Sequence, residues 1–116
     1  MLIFETRYFK INKDYNNYNI IFKKDNLTLN LQTYELVNLS ILCYFIFNEK
    51  KIYRSYLVED ITDILIDNDY FTIYSKSLST KLDIKVAYQI YYVIKLIIES
   101  IGLINLVDPN RKNSVY

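Results

Sequence analysis

The side chains able to do chemistry in this 116-residue chain are lysines, arginines, tyrosines, carboxylates and one thiol; histidine is absent. The densest carboxylate group is Glu59, Asp60, Asp63, Asp67 and Asp69. On a helix, steps of three and four would bring Glu59 or Asp60 onto one face with Asp63 and Asp67. A carboxylate-only acid–base site could be built that way, but a solvated helix face explains the same spacing and is the preferred reading. Cys43 lies inside the apolar run Ile41–Phe47 and reads as a small core residue rather than a reactive thiol. A lone cysteine without histidine excludes structural zinc and an intramolecular disulfide, and the commonest general base is missing. One glycine in the whole chain leaves no phosphate-cradling loop, since the dinucleotide fingerprint and the P-loop each need several. The expectation is a non-enzyme with no cofactor and no metal.

A second set of residues suggests binding. Lys85, Tyr88, Gln89, Tyr92 and Lys95 fall on one side of a helical pattern. Its apolar stripe is Val86, Ala87, Ile90, Val93 or Ile94, Ile97 and Ile101. In the first turns of a helix lying in the ~12 Å major groove of DNA, glutamine bonds adenine in two places and lysine reaches guanine acceptors. Tyrosine bonds phosphate or packs on thymine methyls. Arg111 and Lys112, beside Asp108-Pro109-Asn110, would sit at a turn over phosphates or the minor groove. The alternative is that the tyrosines are semi-buried packing and the helix binds protein. The net charge is only +1. It is unevenly spread: residues 75–116 hold six bases against three acids, and residues 1–74 eight against ten. The excess is a weak argument for DNA.

These residues need elements to hold them. The apolar content of 52% argues for one folded domain over 1–116. Residues 1–31 read as strands: Leu2–Phe4, Tyr8-Phe9, and a hairpin of Ile20–Phe22 and Leu27–Leu31 around Lys23–Asn26. Residues 33–74 read as two helices and a link. The first runs from a Thr33 cap to Phe47 and is apolar on more than one side, the second starts near Ser55 and carries Leu57, Val58, Ile61, Ile64 and Leu65, and Tyr70–Tyr74 is the link. Residues 75–116 read as a short helix Ser75–Leu82, a turn at Asp83-Ile84, a long helix from Lys85, and two strands, Ile104–Val107 and Val115-Tyr116, joined by a Pro109 turn. Gly102 follows the long helix, where a left-handed residue ends a helix without a Cβ penalty. No internal repeat is visible. The apolar run Ile41–Phe47 falls far short of the roughly 20 residues a membrane span needs, so no membrane partner and a soluble, cytoplasmic location are expected.

The words SLSTKLDI, YYVIKLIIESIGLI and NLVDPNRKNSVY resemble the winged helix-turn-helix family, in particular small regulators of archaea and their viruses and plasmids. The resemblance covers Ser77–Tyr116, about a third of the chain. It implies a winged-helix fold with a C-terminal β-wing; with the N-terminal β-hairpin, which lies outside the family's minimum, the expected fold is α+β, mainly helical. It matches Lys85, Tyr88, Gln89, Tyr92 and Lys95 to recognition-helix positions, and Arg111 and Lys112 to the wing tip. The implied function is a transcription regulator that binds double-stranded DNA sequence-specifically as a homodimer, in the host cytoplasm if the chain is viral. The apolar surplus of the first helix would be the dimer interface. The alternative is a winged-helix module that binds a host or partner protein without DNA.

Overall fold

In the computed structural model, residues 1–49, 58–76 and 78–102 are described. Four strands open the chain: β1 (Leu2–Glu5), β2 (Phe9–Asp14), β3 (Asn17–Phe22) and β4 (Leu27–Gln32). They pair antiparallel in sequence order. Alternation decides which face is buried, because successive strand side chains point to opposite sides. Phe9 and Ile11, then Tyr18, Ile20 and Phe22, then Leu27, Leu29 and Leu31 all point inward. The β2–β3 and β3–β4 turns each use one left-handed residue, Tyr15 (φ 57°) and Asn26 (φ 54°). Helix α1 (Thr33–Glu49) follows β4 without a break. Its start is fixed by Glu35, which is buried and accepts the Gln32 backbone N–H at 3.1 Å. The Thr33 hydroxyl donates to the Asn16 carbonyl at 3.2 Å.

The second half repeats this plan. Strands β5 (Asp63–Ile66), β6 (Tyr70–Ser75) and β7 (Leu78–Asp83) form a second antiparallel sheet, again in sequence order. Helix α2 (Ile84–Ser100) follows β7 directly. β4 and β7 each have six residues, and α1 and α2 each have 17. The chain therefore holds two meander-then-helix units, the first with one extra strand. The Asp83 carboxylate caps α2 by accepting the Lys85 N–H at 2.9 Å. After α2, Gly102 takes φ 82° and donates its N–H to the Glu99 carbonyl at 3.0 Å.

The units share one core. α1 packs against α2 as well as against β3 and β4, and the Phe47 ring meets the rings of Phe71, Tyr88 and Tyr91 at 5.4, 4.3 and 5.8 Å. Polar ties cross the join. Thr80 Oγ1 donates to Asp25 Oδ2 at 2.6 Å, the Asn30 N–H to Asp60 Oδ2 at 2.7 Å, and the Glu59 N–H to Glu35 Oε2 at 2.9 Å.

This architecture overturns the mainly helical winged helix-turn-helix. Ser75–Leu82 is not a helix: Ser75 ends β6, and Leu78–Leu82 lie in β7. Without that helix there is no helix-turn-helix, and Asp83 is a helix cap rather than a turn. Part of the expected second helix, Asp63–Ile66, is strand β5, and the Tyr70–Tyr74 link is the central strand β6. The N-terminal hairpin is present as β3–β4, within a larger sheet. The expected wing, with Pro109, lies outside the described residues. The apolar surplus of α1 is covered inside the chain by β3, β4 and α2, which removes the reason for pairing through it.

Candidate nucleic-acid interface

A cleft of about 500 Å³ opens where the two sheets meet the start of α2. Four separate stretches build it. Tyr8 comes from the β1–β2 turn, and Phe22 and Lys24 from the end of β3 and the turn beyond. Tyr70 opens β6. Thr80, Lys81, Leu82 and Asp83 close β7, and Lys85, Val86 and Gln89 lie in the first turns of α2. Phe22, Leu82 and Val86 form an apolar floor. Alternation along β7 sends Thr80 and Leu82 inward and leaves Lys81 and Asp83 exposed. The floor and the charged rim are thus two faces of one strand.

The rim is cationic. Among the lining residues Lys24, Lys81 and Lys85 stand against one carboxylate, Asp83, which is engaged in capping α2. The backbone N–H groups of Asp69 and Tyr70 lower the pKa of Asp67, and Lys81 also lies near enough to add to this. None of the three lysines is in an ion pair among the described residues. Lys23, next in sequence to Lys24, is taken by Glu5 at 2.6 Å and the Thr6 carbonyl at 2.7 Å. That ammonium beside Glu5 holds its carboxyl below the usual range. Lys81 Nζ lies 4.2 Å from the centre of the Tyr70 ring, and the Arg7 guanidinium carbon lies 5.5 Å from that of Tyr8. Both rings are exposed. At the α2 N-terminus, which borders the cleft, the Ile84 and Lys85 N–H groups are taken by the Asp69 carbonyl and the Asp83 carboxylate. Ammonium groups and aromatic faces together suit a ligand that is anionic and carries flat rings.

Of the residues expected from sequence to contact DNA, Lys85 and Gln89 line this cleft. Tyr88 and Tyr92 lie on the exposed face of α2, with the Tyr88 ring also against Phe47. Lys95 is half-buried, its Nζ 5.5 Å from the centre of the Tyr91 ring. Arg111 and Lys112 lie outside the described residues. Tyr8, Lys24, Tyr70 and Lys81, which the sequence reading does not single out, also line the cleft. For Lys81 a signal existed in the alternation Leu78-Ser79-Thr80-Lys81-Leu82-Asp83, whereas the approach of Tyr8 and Lys24 to β7 leaves no local trace.

No group of three or more potential metal ligands occurs among the described residues. Three carboxylates of the acidic group bond backbone N–H groups. Asp60 accepts from Asn30 and Asp63 from Ile64. Asp67 accepts the N–H groups of Asp69 and Tyr70 at 2.9 and 2.8 Å, and these bonds, that from Asp69 first, lower its pKa. Burial pushes the Cys43 thiol up to about 12, which leaves it protonated and unreactive. No described helix is long and apolar enough to cross a membrane. No protein-family model matches the chain, and no curated protein or solved structure matches it.

Proposed function

We propose that the protein binds nucleic acid without catalysis, holding a single strand in the cleft between its sheets. The observation that carries this reading is the convergence of Lys24, Lys81 and Lys85, free of ion pairs among the described residues, with the exposed rings of Tyr8 and Tyr70. Single strands are bound by this combination: ammonium groups follow the phosphates while bases stack on aromatic faces. Gln89, an exposed residue that also lines the cleft, offers both a donor and an acceptor to a base edge.

A duplex suits the surface less well. The exposed face of α2 turns apolar at Tyr88, Tyr92 and Leu96 and ends in Glu99, and Lys95 is half-buried against the Tyr91 ring. A cleft of about 500 Å³ has room for one or two nucleotides of an unpaired strand, which favours a strand over a duplex.

The test is fluorescence anisotropy with a labelled thymidine oligomer and its duplex at several salt concentrations. Log affinity for the single strand should fall with log salt with a slope of roughly −2, from about −0.7 for each of three phosphates. Replacing Lys81 and Lys85 together by alanine should weaken binding about tenfold or more, or about 1.4 kcal/mol. Absence of binding at low salt, or unchanged affinity in the double variant, overturns the reading. A preference for duplex overturns the choice of strand.

A further inference from the structure

The exposed face of α2 has a property that its role at the cleft does not require. Among its exposed residues, which also include Gln89 and Ser100, a stripe of Lys85, Tyr88, Tyr92, Leu96 and Glu99 is spaced three, four, four and three apart. The stripe therefore reads the same from both ends about Tyr92, with opposite charges at its two ends. Its middle is apolar and open, as Tyr88, Tyr92 and Leu96 are all exposed. An uncovered apolar stripe on a helix marks an interaction surface. In α1, the positions matching Tyr88 and Tyr92 are Val37 and Ile41, and both are buried.

We propose that this stripe is covered by a second copy of the same chain, with the two α2 helices antiparallel about a twofold axis at Tyr92. A twofold interface must be self-complementary, so that each residue meets a partner fixed by the symmetry. Here the symmetry sets Tyr92 against the partner's Tyr92, Tyr88 against the partner's Leu96, and Lys85 against the partner's Glu99. Both charged pairs form at once, and the seam runs about 21 Å, from 14 steps of 1.5 Å. A parallel arrangement would put Lys85 on Lys85 and Glu99 on Glu99, which like-charge repulsion opposes. The pattern thus selects both the partner and its direction.

The test needs no nucleic acid and so stands apart from the cleft. Analytical ultracentrifugation across micromolar concentrations should show a species of twice the 14.0 kDa chain mass. Lys85→Glu and Glu99→Lys should each raise the dimer dissociation constant about tenfold, and the two together should restore it. Tyr92→Cys should cross-link to a dimer under mild oxidation, since the two thiols meet at the axis. Gln89→Cys, off the axis, should not. The buried Cys43 does not compete. A monomer at every concentration overturns the proposal. So does a dimer whose stability the charge exchanges leave unchanged, or one in which Gln89→Cys cross-links as readily as Tyr92→Cys.

Discussion

The two units of this chain share a plan and differ in what they bury. With the first residues of the helices matched, Ile41 of α1 corresponds to Tyr92 of α2. Ile41 is 7% exposed and Tyr92 is 64% exposed. Along α1, only Tyr34, Asn48 and Glu49 are exposed, whereas α2 exposes a face along its whole length. The strands before them differ in the same sense. Leu27, Leu29 and Leu31 of β4 are all buried, while Leu78 of β7 is open and Thr80 takes an inward place beside Leu82. One unit is spent on the core and the other meets the surroundings, so a repeated backbone does not imply a repeated role. The cleft and the symmetric stripe both draw on α2, and neither uses α1.

That contrast can be broken most directly at the matched pair. Ile41→Ala should destabilise the fold by about 2–5 kcal/mol, as large-to-small changes in a core do. Tyr92→Ala, read in dilute solution, should stay within about 0.5 kcal/mol. Urea unfolding midpoints compare the two, and equal effects would erase the distinction between core helix and surface helix. Next in size is Glu35→Ala, which orphans the N–H groups of Gln32 and Glu59 and should cost about 1–3 kcal/mol. Glu35→Gln keeps one acceptor oxygen and should lose less, so a full loss with glutamine would show that the negative charge itself is needed. The matching position in α2 is Val86, so the comparison sharpens if no polar change there has a counterpart. A smaller loss than at Ile41 or Glu35 is expected at Gly102→Ala. A Cβ there meets no atom within 4 Å, so only the strain of alanine at φ 82° remains, about 1 kcal/mol. An unchanged melting midpoint would mean that α2 does not need its left-handed stop.

Both helices were legible because their apolar runs are long and their ends are marked, at Thr33 for α1 and at Gly102 for α2. The β3–β4 hairpin was legible from alternation and the polar Lys23–Asn26 turn. The error at Ser75–Leu82 has a simple physical source. Leu78 and Leu82 are four apart, which is one turn of a helix and also two full periods of a strand, so the pair cannot separate the two. What decides the issue is Thr80, whose buried hydroxyl bonds to Asp25, 55 residues earlier. The helix-face reading of the acidic group failed likewise, as Asp63 lies in strand β5 and Asp60, Asp63 and Asp67 bond backbone N–H groups. That Lys85 and Gln89 share an exposed helix face was legible, because such a face can be read locally. Tyr8, Lys24 and Tyr70 were not, because the cleft exists only once both sheets are in place. The repeat was hidden because it lies in strand order and element length rather than in residue identity.

The strand order has a kinetic consequence. Every ladder joins strands adjacent in sequence, so forming either sheet closes only short loops. Chains dominated by such local pairings cross their folding barrier fast, because little loop entropy is lost before contacts form. The few long-range bonds, such as Glu35 to Glu59 and Asp25 to Thr80, form only once both units exist. In order of synthesis the first sheet and α1 precede α2. Their shared apolar surface then waits for α2, and that interval is when the nascent chain is most exposed to wrong partners.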